Sequence, residues 1–167
     1  YANYKLFSAL YLAQLQNYKQ AINTALSVWD IMQTLEKDDP DYLSYLNSIS
    51  QWYLDLHGSN LNEGFKYASE AMAIVESIPD IDSSNYAYTI RTLAQYQGLL
   101  GYHGESIKNY HKALDIINSS DSVEISKILY GLAACYGNIN NYASAIKYGE
   151  LALTYIIKTD KPNQYAH

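Results

Sequence analysis

Two hexapeptides, Asn17-Tyr18-Lys19-Gln20-Ala21-Ile22 and Asn141-Tyr142-Ala143-Ser144-Ala145-Ile146, share the pattern Asn-Tyr-x-x-Ala-Ile. Aligning them brings the chain between into register as four copies of one unit. The anchors Ala21, Gly64, Ser106 and Ala145 are spaced 43, 42 and 39 residues apart, and all are small. Four residues after each anchor stand Ala25, Ala68, Tyr110 and Gly149, and three further on stand Val28, Ala71, Ala113 and Ala152. Positions i, i+4 and i+7 fall on one face of an α-helix. A fixed period of this length is the signature of a stacked helical repeat.

A second helical stripe precedes each anchor. It reads Leu129, Leu132, Ala133, Tyr136 in the fourth copy and Leu46, Ile49, Ser50, Tyr53 in the second. The third gives Ile90, Leu93, Ala94 and then Gln97, and the first, which fits worst, gives Lys5, Ser8, Ala9 and Leu12. A small residue, Ala9, Ser50, Ala94 or Ala133, recurs in every first helix and can face the small anchor of the second, which permits close packing. Stops fall at matching places: Asp38-Asp39-Pro40-Asp41, Pro79 through Ser84, Ser119 through Ser122, and Thr159 through Pro162. Asp121 with Glu124 three residues later predicts a capping box. The sequence therefore predicts eight helices, at about 2–15, 18–37, 41–57, 61–77, 84–100, 104–118, 122–139 and 142–158, with a ninth opening over 161–167. No period-two run competes.

These residues resemble the tetratricopeptide repeat, whose pattern asks for a large apolar residue, Leu-Gly or Leu-Ala, an aromatic, then Ala, an aromatic and Ala. The best match runs from Leu93-Ala94 through Ser106, Tyr110, Ala113 and Leu114, followed by Leu132-Ala133, Tyr136, Ala145 and Ala152. The family repeat is 34 residues, so the longer period is similar to the branch that includes kinesin light chains. The resemblance implies an all-α class, an α-α superhelix of about four helix-turn-helix repeats (about 2–40, 41–82, 83–121 and 122–160) forming a single array over 1–167. One helical pair cannot bury both its faces, so stacked neighbours form the core and leave a concave side.

In that family the concave side is lined by the first helix of each pair. Mapped by the anchors, its residues are Asn47 and Gln51, then Tyr88, Arg91 and Gln95, then Lys127, Tyr130, Ala134 and Asn138. Carboxamides can donate to and accept from a peptide backbone, and Arg91 and Lys127 add positive points. The arrangement is similar to that of peptide-pheromone regulators, which hold ligands along ladders of Asn. A carboxylate clamp for chaperone tails does not fit: Leu6 and Leu10 stand where Lys and Asn would be needed, and Ser48 where Asn is expected. The implied function is a non-enzymatic module that binds a protein or peptide segment within a larger scaffold, sensor or regulator. The alternative is a ligand-sensing domain of a signalling or transcriptional regulator. Exposed ends of such an array can also stack on a second copy.

Composition excludes other classes. Eleven Lys and Arg against 17 Asp and Glu leave a formal charge of −6, so no positive field draws in nucleic acid or anionic lipid. Tyrosine supplies 19 aromatics against two Phe and two Trp, and polarity rests on Tyr, Asn and Ser. The uncharged stretch from Ile128 to Ile146 contains Gly137, Asn138, Asn140 and Asn141, which argues against a membrane span. One cysteine, Cys135, forms no internal disulfide and reads as a small buried hydrophobe. No cofactor or metal is expected: His57, His103, His111 and His167 lack ligand spacing. Asp80, Asp82 and Ser84 open like a calcium loop, but Asn85 and Arg91 stand where its glycine and glutamate belong. The sequence leaves the compartment open.

Overall fold

The computed structural model describes residues 2–35, 39–56, 60–117 and 120–160. Every regular element among them is helical: α1 (Ala2–Gln14), α2 (Tyr18–Leu26), α3 (Trp29–Met32), α4 (Pro40–Asp55), α5 (Leu61–Ser77), α6 (Ser83–Leu99), α7 (His103–Ile116), α8 (Ser122–Asn138) and α9 (Tyr142–Asp160). The chain divides into two compact units, Tyr1–Asp80 and Ile81–His167. In the first, α1 packs on α2, α4 on α5, and α2 on α4. In the second, α6 packs on α7, α8 on α9, and α8 also rests on both α7 and α6.

The boundaries follow the stops in the sequence. Asp39 accepts the amide of Asp41 at 2.8 Å, Asp82 those of Ser84 and Asn85 at 3.1 Å, and Asp121 that of Glu124 at 3.0 Å. Each satisfies amides that a helix start leaves without partners. Asp82 is thus a helix cap. The corner inside a repeat is equally regular. The amides of Asn17, Tyr102 and Asn141 donate to the carbonyls of Leu12, Gln97 and Tyr136 at 2.8–2.9 Å, and the amides one residue earlier reach Ala13, Gly98 and Asn140's partner Gly137. These paired bonds form a Schellman corner, which requires a left-handed residue. Gln16 (φ 58°), Gly101 (φ 89°) and Asn140 (φ 61°) fill that place. The corner at Asn140 also breaks the uncharged stretch, and among the described residues no helix is long and apolar enough to cross a membrane.

One element differs from expectation. The helix expected over 18–37 is broken: α2 ends at Leu26, and α3 is a separate four-residue helix. At Ser27 and Thr34 the hydroxyls donate to the carbonyls of Thr24 and Ile31, each at 2.6 Å. Such local bonds compete with the helical ladder, and Val28 between them leaves helical geometry (φ −118°, ψ 12°). Trp29 gains contacts from the break, with its ring 5.4 Å from Tyr67 and 5.9 Å from Tyr45. Among the described residues, nine helices therefore arise from a split second helix. The helix expected to open over 161–167 lies outside the described residues, as does the end of the 18–37 prediction.

Small residues make the seams within a helical pair. The hydroxyl of Ser106 on α7 donates to the carbonyl of Ala94 on α6 at 2.6 Å, which joins two of the small positions read from the sequence. In the next pair, a Cβ placed on Gly137 would lie 4.0 Å from that of Ala145, and one on Gly149 would lie 4.0 Å from that of Ala133. The seam thus uses two small positions four residues apart on each helix. Tyr110 instead crosses from α7 to α8, where its ring occupies the space a Cβ on Gly131 would need.

Tyrosines share the core with aliphatic residues such as Leu46, Ile49, Ile90, Ile128 and Leu132. Tyr45, Tyr53 and Tyr67 are buried in the first unit, where the rings of Tyr53 and Tyr67 stack at 6.0 Å. The Tyr45 hydroxyl donates to the Ala25 carbonyl at 3.2 Å, and that of Tyr42 to Glu70 at 2.6 Å. Burial, reinforced by neighbouring Tyr53, Glu63 and Glu70, pushes the Tyr67 hydroxyl up to about 12. Burial also raises Tyr42, Tyr45, Tyr53 and Tyr110.

Two predictions result. Gly131→Ala should cost about 1–3 kcal/mol, because overpacking against Tyr110 outweighs the gain in helix propensity. Gly149→Ala, with room at its site, should be neutral or stabilising by up to about 1 kcal/mol. Urea unfolding of both proteins checks the pair, and equal stabilities would refute the Tyr110 contact. For the tyrosines, a raised folded value means that the folded state keeps protons that the unfolded chain loses. Their contribution is fully present below about pH 10 and is lost as pH rises toward 12. Tyrosinate absorption should therefore rise steeply together with loss of far-ultraviolet helicity in that window.

Candidate functional site

The first helices of the repeats are α1, α4, α6 and α8, and each unit shows what two of them can do together. In the second unit the centre is Arg91 on α6. It is 4% exposed and forms an ion pair through Nε with Glu124 Oε1 on α8. Its Nη1 donates to Gln95 Oε1 at 3.2 Å, and its guanidinium carbon lies 4.9 Å from the centre of the Tyr88 ring. From α8, Lys127 Nζ reaches the other oxygen of Glu124 at 3.4 Å. Tyr88 and Gln95 thus flank the Arg91 guanidinium, and Lys127 shares the Glu124 carboxylate with it.

Glu124 itself was expected to close a capping box. Asp121 supplies the cap as expected, but the Glu124 carboxylate turns to Arg91 and Lys127. A buried guanidinium is costly to leave without a partner, and that requirement dominates over a surface cap. The Arg91–Glu124 pair holds α6 to α8 and leaves Arg91 as part of the fold's interior. The outer rim of α8 is different in character: Tyr130 is 71% exposed, and Ala134 and Asn138 are exposed one and two turns further on.

In the first unit, Asn47 is buried and Gln51 is half-buried, with its amide donating to Asp55 at 3.1 Å. Beside them α1 and α4 are separated by an open groove of about 190 Å³. From α1 it is lined by Leu6, Phe7 and Leu10, and from α4 by Asp41, Ser44, Tyr45, Ser48 and Trp52. The α4 residues follow i, i+3, i+4, i+7 and i+11, one continuous helix face. Trp52, 7% exposed, and Tyr45 form the floor, while Phe7, 72% exposed, and Leu10, 43% exposed, stand on the rim. Such a face spans about 16 Å at the helical rise per residue.

The sequence reading did not select Phe7, Asp41, Ser44, Tyr45 or Trp52. The available signal was the departure from a carboxylate clamp: Leu6, Leu10 and Ser48 replace its polar residues, and all three line the groove. Among the described residues no cluster of three His, Cys, Asp or Glu side chains could hold a metal. Cys135 is buried with Sγ 3.1 Å from the Ser106 hydroxyl; burial raises its thiol above the ordinary value, and the bond to Ser106 partly offsets this.

Comparison with solved structures agrees with this organisation. The nearly identical TPR-like repeats of a Podosopora anserina kinesin light chain candidate superpose with a TM-score of 0.72 at 16% identity, over 95% of this chain and 75% of that one. A point variant of that protein gives 0.73 at 16% identity, over 95% and 74%. BtubC (BKLC) from P. vanneervenii gives 0.76 at 13% identity, over 95% of this chain and 64% of its own. No protein-family model matches the sequence, and no curated protein matches it. The fold is the all-α TPR-like helical repeat, shared with solved structures that include one named for a kinesin light chain.

Removing one member of the buried ion pair should be severe. Arg91→Ala or Glu124→Ala should each cost about 3–5 kcal/mol, because each strands a buried charge. Replacing both with methionine should recover most of that loss. A double-mutant cycle by denaturant unfolding measures this, and additive single losses would mean that the pair is not coupled.

Proposed function

We propose that this chain is a non-enzymatic interaction module that holds an extended segment of a partner protein against the first helices of its repeats, as part of a larger scaffold, sensor or regulator. The observation carrying this reading is the groove between α1 and α4, with a buried aromatic floor and an exposed apolar rim. Apolar side chains of α1 that stay in water along one wall of an open groove favour an occupant that covers them. The TPR-like fold supports a general role as an interaction scaffold.

The polar first-helix residues take distinct parts in this proposal. Gln51 and Asn138 supply carboxamides, and Lys127 and Tyr130 are accessible contact points on α8. Asn47 and Gln95 support these faces, while Arg91, with Tyr88 against it, fixes the surface from beneath. A random peptide-display library selected against the immobilised chain should yield related sequences. Their affinity should fall at least tenfold, about 1.4 kcal/mol, with Phe7→Ser at the rim. Tyr130→Ala should weaken peptides selected by the second unit. Both residues are exposed, so far-ultraviolet helicity should stay unchanged. Selected peptides that bind both variants as tightly as the parent would place the site off these faces.

A further inference from the structure

The groove between α1 and α4 has a sign. Asp41 is the one charged residue in its lining. Its backbone amide is taken by the Asp39 cap, but its side chain is exposed, and among the described residues no cation pairs with it. The remaining lining is apolar, aromatic or hydroxyl-bearing, with Phe7, Tyr45 and Trp52 presenting ring surfaces. The Tyr45 hydroxyl is already committed to the Ala25 carbonyl, so its ring is what remains for an occupant.

We propose that the groove receives a basic segment: an extended peptide in which one Lys or Arg, flanked by apolar residues, lays its stem along the ring-lined wall and its cation against Asp41. This rests on the peptide-binding reading above and names the chemistry of the partner. A lysine or arginine stem is an apolar chain ending in a charge, which matches an apolar wall ending in a carboxylate. Aromatic faces add attraction for a cation. An acidic segment meets the opposite situation, because its charge would face Asp41 with no cation in the lining to offset it. A wholly apolar segment would cover the walls but strip water from an unpaired carboxylate. The formal charge of −6 draws basic chains at longer range. At about 3.3 Å per extended residue, the face from Asp41 to Trp52 takes about five residues.

Asp41 also lies in the first turn of α4, where a carboxylate favours the helix start. Helix stability and partner binding are therefore measured separately. The probes are labelled peptides Ser-Leu-X-Leu-Ser with X as lysine, norleucine or glutamate, titrated against the full chain by fluorescence anisotropy at low salt. The lysine peptide should bind at least tenfold more tightly than the glutamate peptide, and the preference should shrink in high salt. Asp41→Asn should abolish the preference while helicity and melting temperature stay near the parent values. Equal binding of all three peptides, still lost with Phe7→Ser, would overturn the basic-segment inference and leave the interaction module standing. Failure of the lysine peptide alongside binding of display-selected peptides would do the same. Failure of every peptide, selected ones included, would remove both.

Discussion

Close approach between paired helices is the constraint on which the other features depend. Ser106 can bond directly to the Ala94 carbonyl only because neither position carries a large side chain. The same economy brings Gly137 to Ala145 and Ala133 to Gly149. Larger residues fill the space around these contacts: Tyr45, Tyr53 and Tyr67 are buried in the first unit, and in the second Ile125 and Leu129 cluster with Ala152 against Leu114, Ile117, Tyr148 and Tyr155. Gly131 likewise leaves the Tyr110 ring the space that a Cβ would take.

Adjacent first helices meet in two different ways. Between α6 and α8 the space is bridged by Arg91 and Glu124, with Tyr88, Gln95 and Lys127 around them. Between α1 and α4, Leu6 and Leu10 line an apolar channel with Asp41 at its edge. One architecture thus carries a latched surface in one unit and an open apolar groove in the other. The difference lies in a few side chains that the fold itself does not require.

The repeat was legible because its determinants are local and periodic. Small residues at 21, 64, 106 and 145 mark the second helices, and Asp39, Asp82 and Asp121 mark starts that the structure places within a residue or two. The break after Leu26 was hidden because Ser27, Val28 and Thr34 are individually tolerated in helices. Their effect is decided by where Trp29 finds Tyr45 and Tyr67, which is tertiary information. The polar cluster was half visible. Spacing put Tyr88, Arg91 and Gln95 on one face, but nothing local shows that Glu124, 33 residues later, answers Arg91. The groove was legible only in negative form, as residues unsuited to a carboxylate clamp. Its volume depends on how far α1 stands from α4, and no periodicity reports a distance between helices.

The corners inside the repeats carry an evolutionary implication. Gln16, Gly101 and Asn140 adopt the same left-handed turn, although glycine alone does so without steric cost. Two backbone bonds close each corner, and those bonds involve no side chain. Repeats of this kind can therefore exchange the residue at the bend and keep the bend. Their ancestry would persist in the path of the main chain after the letters that once advertised it have drifted away.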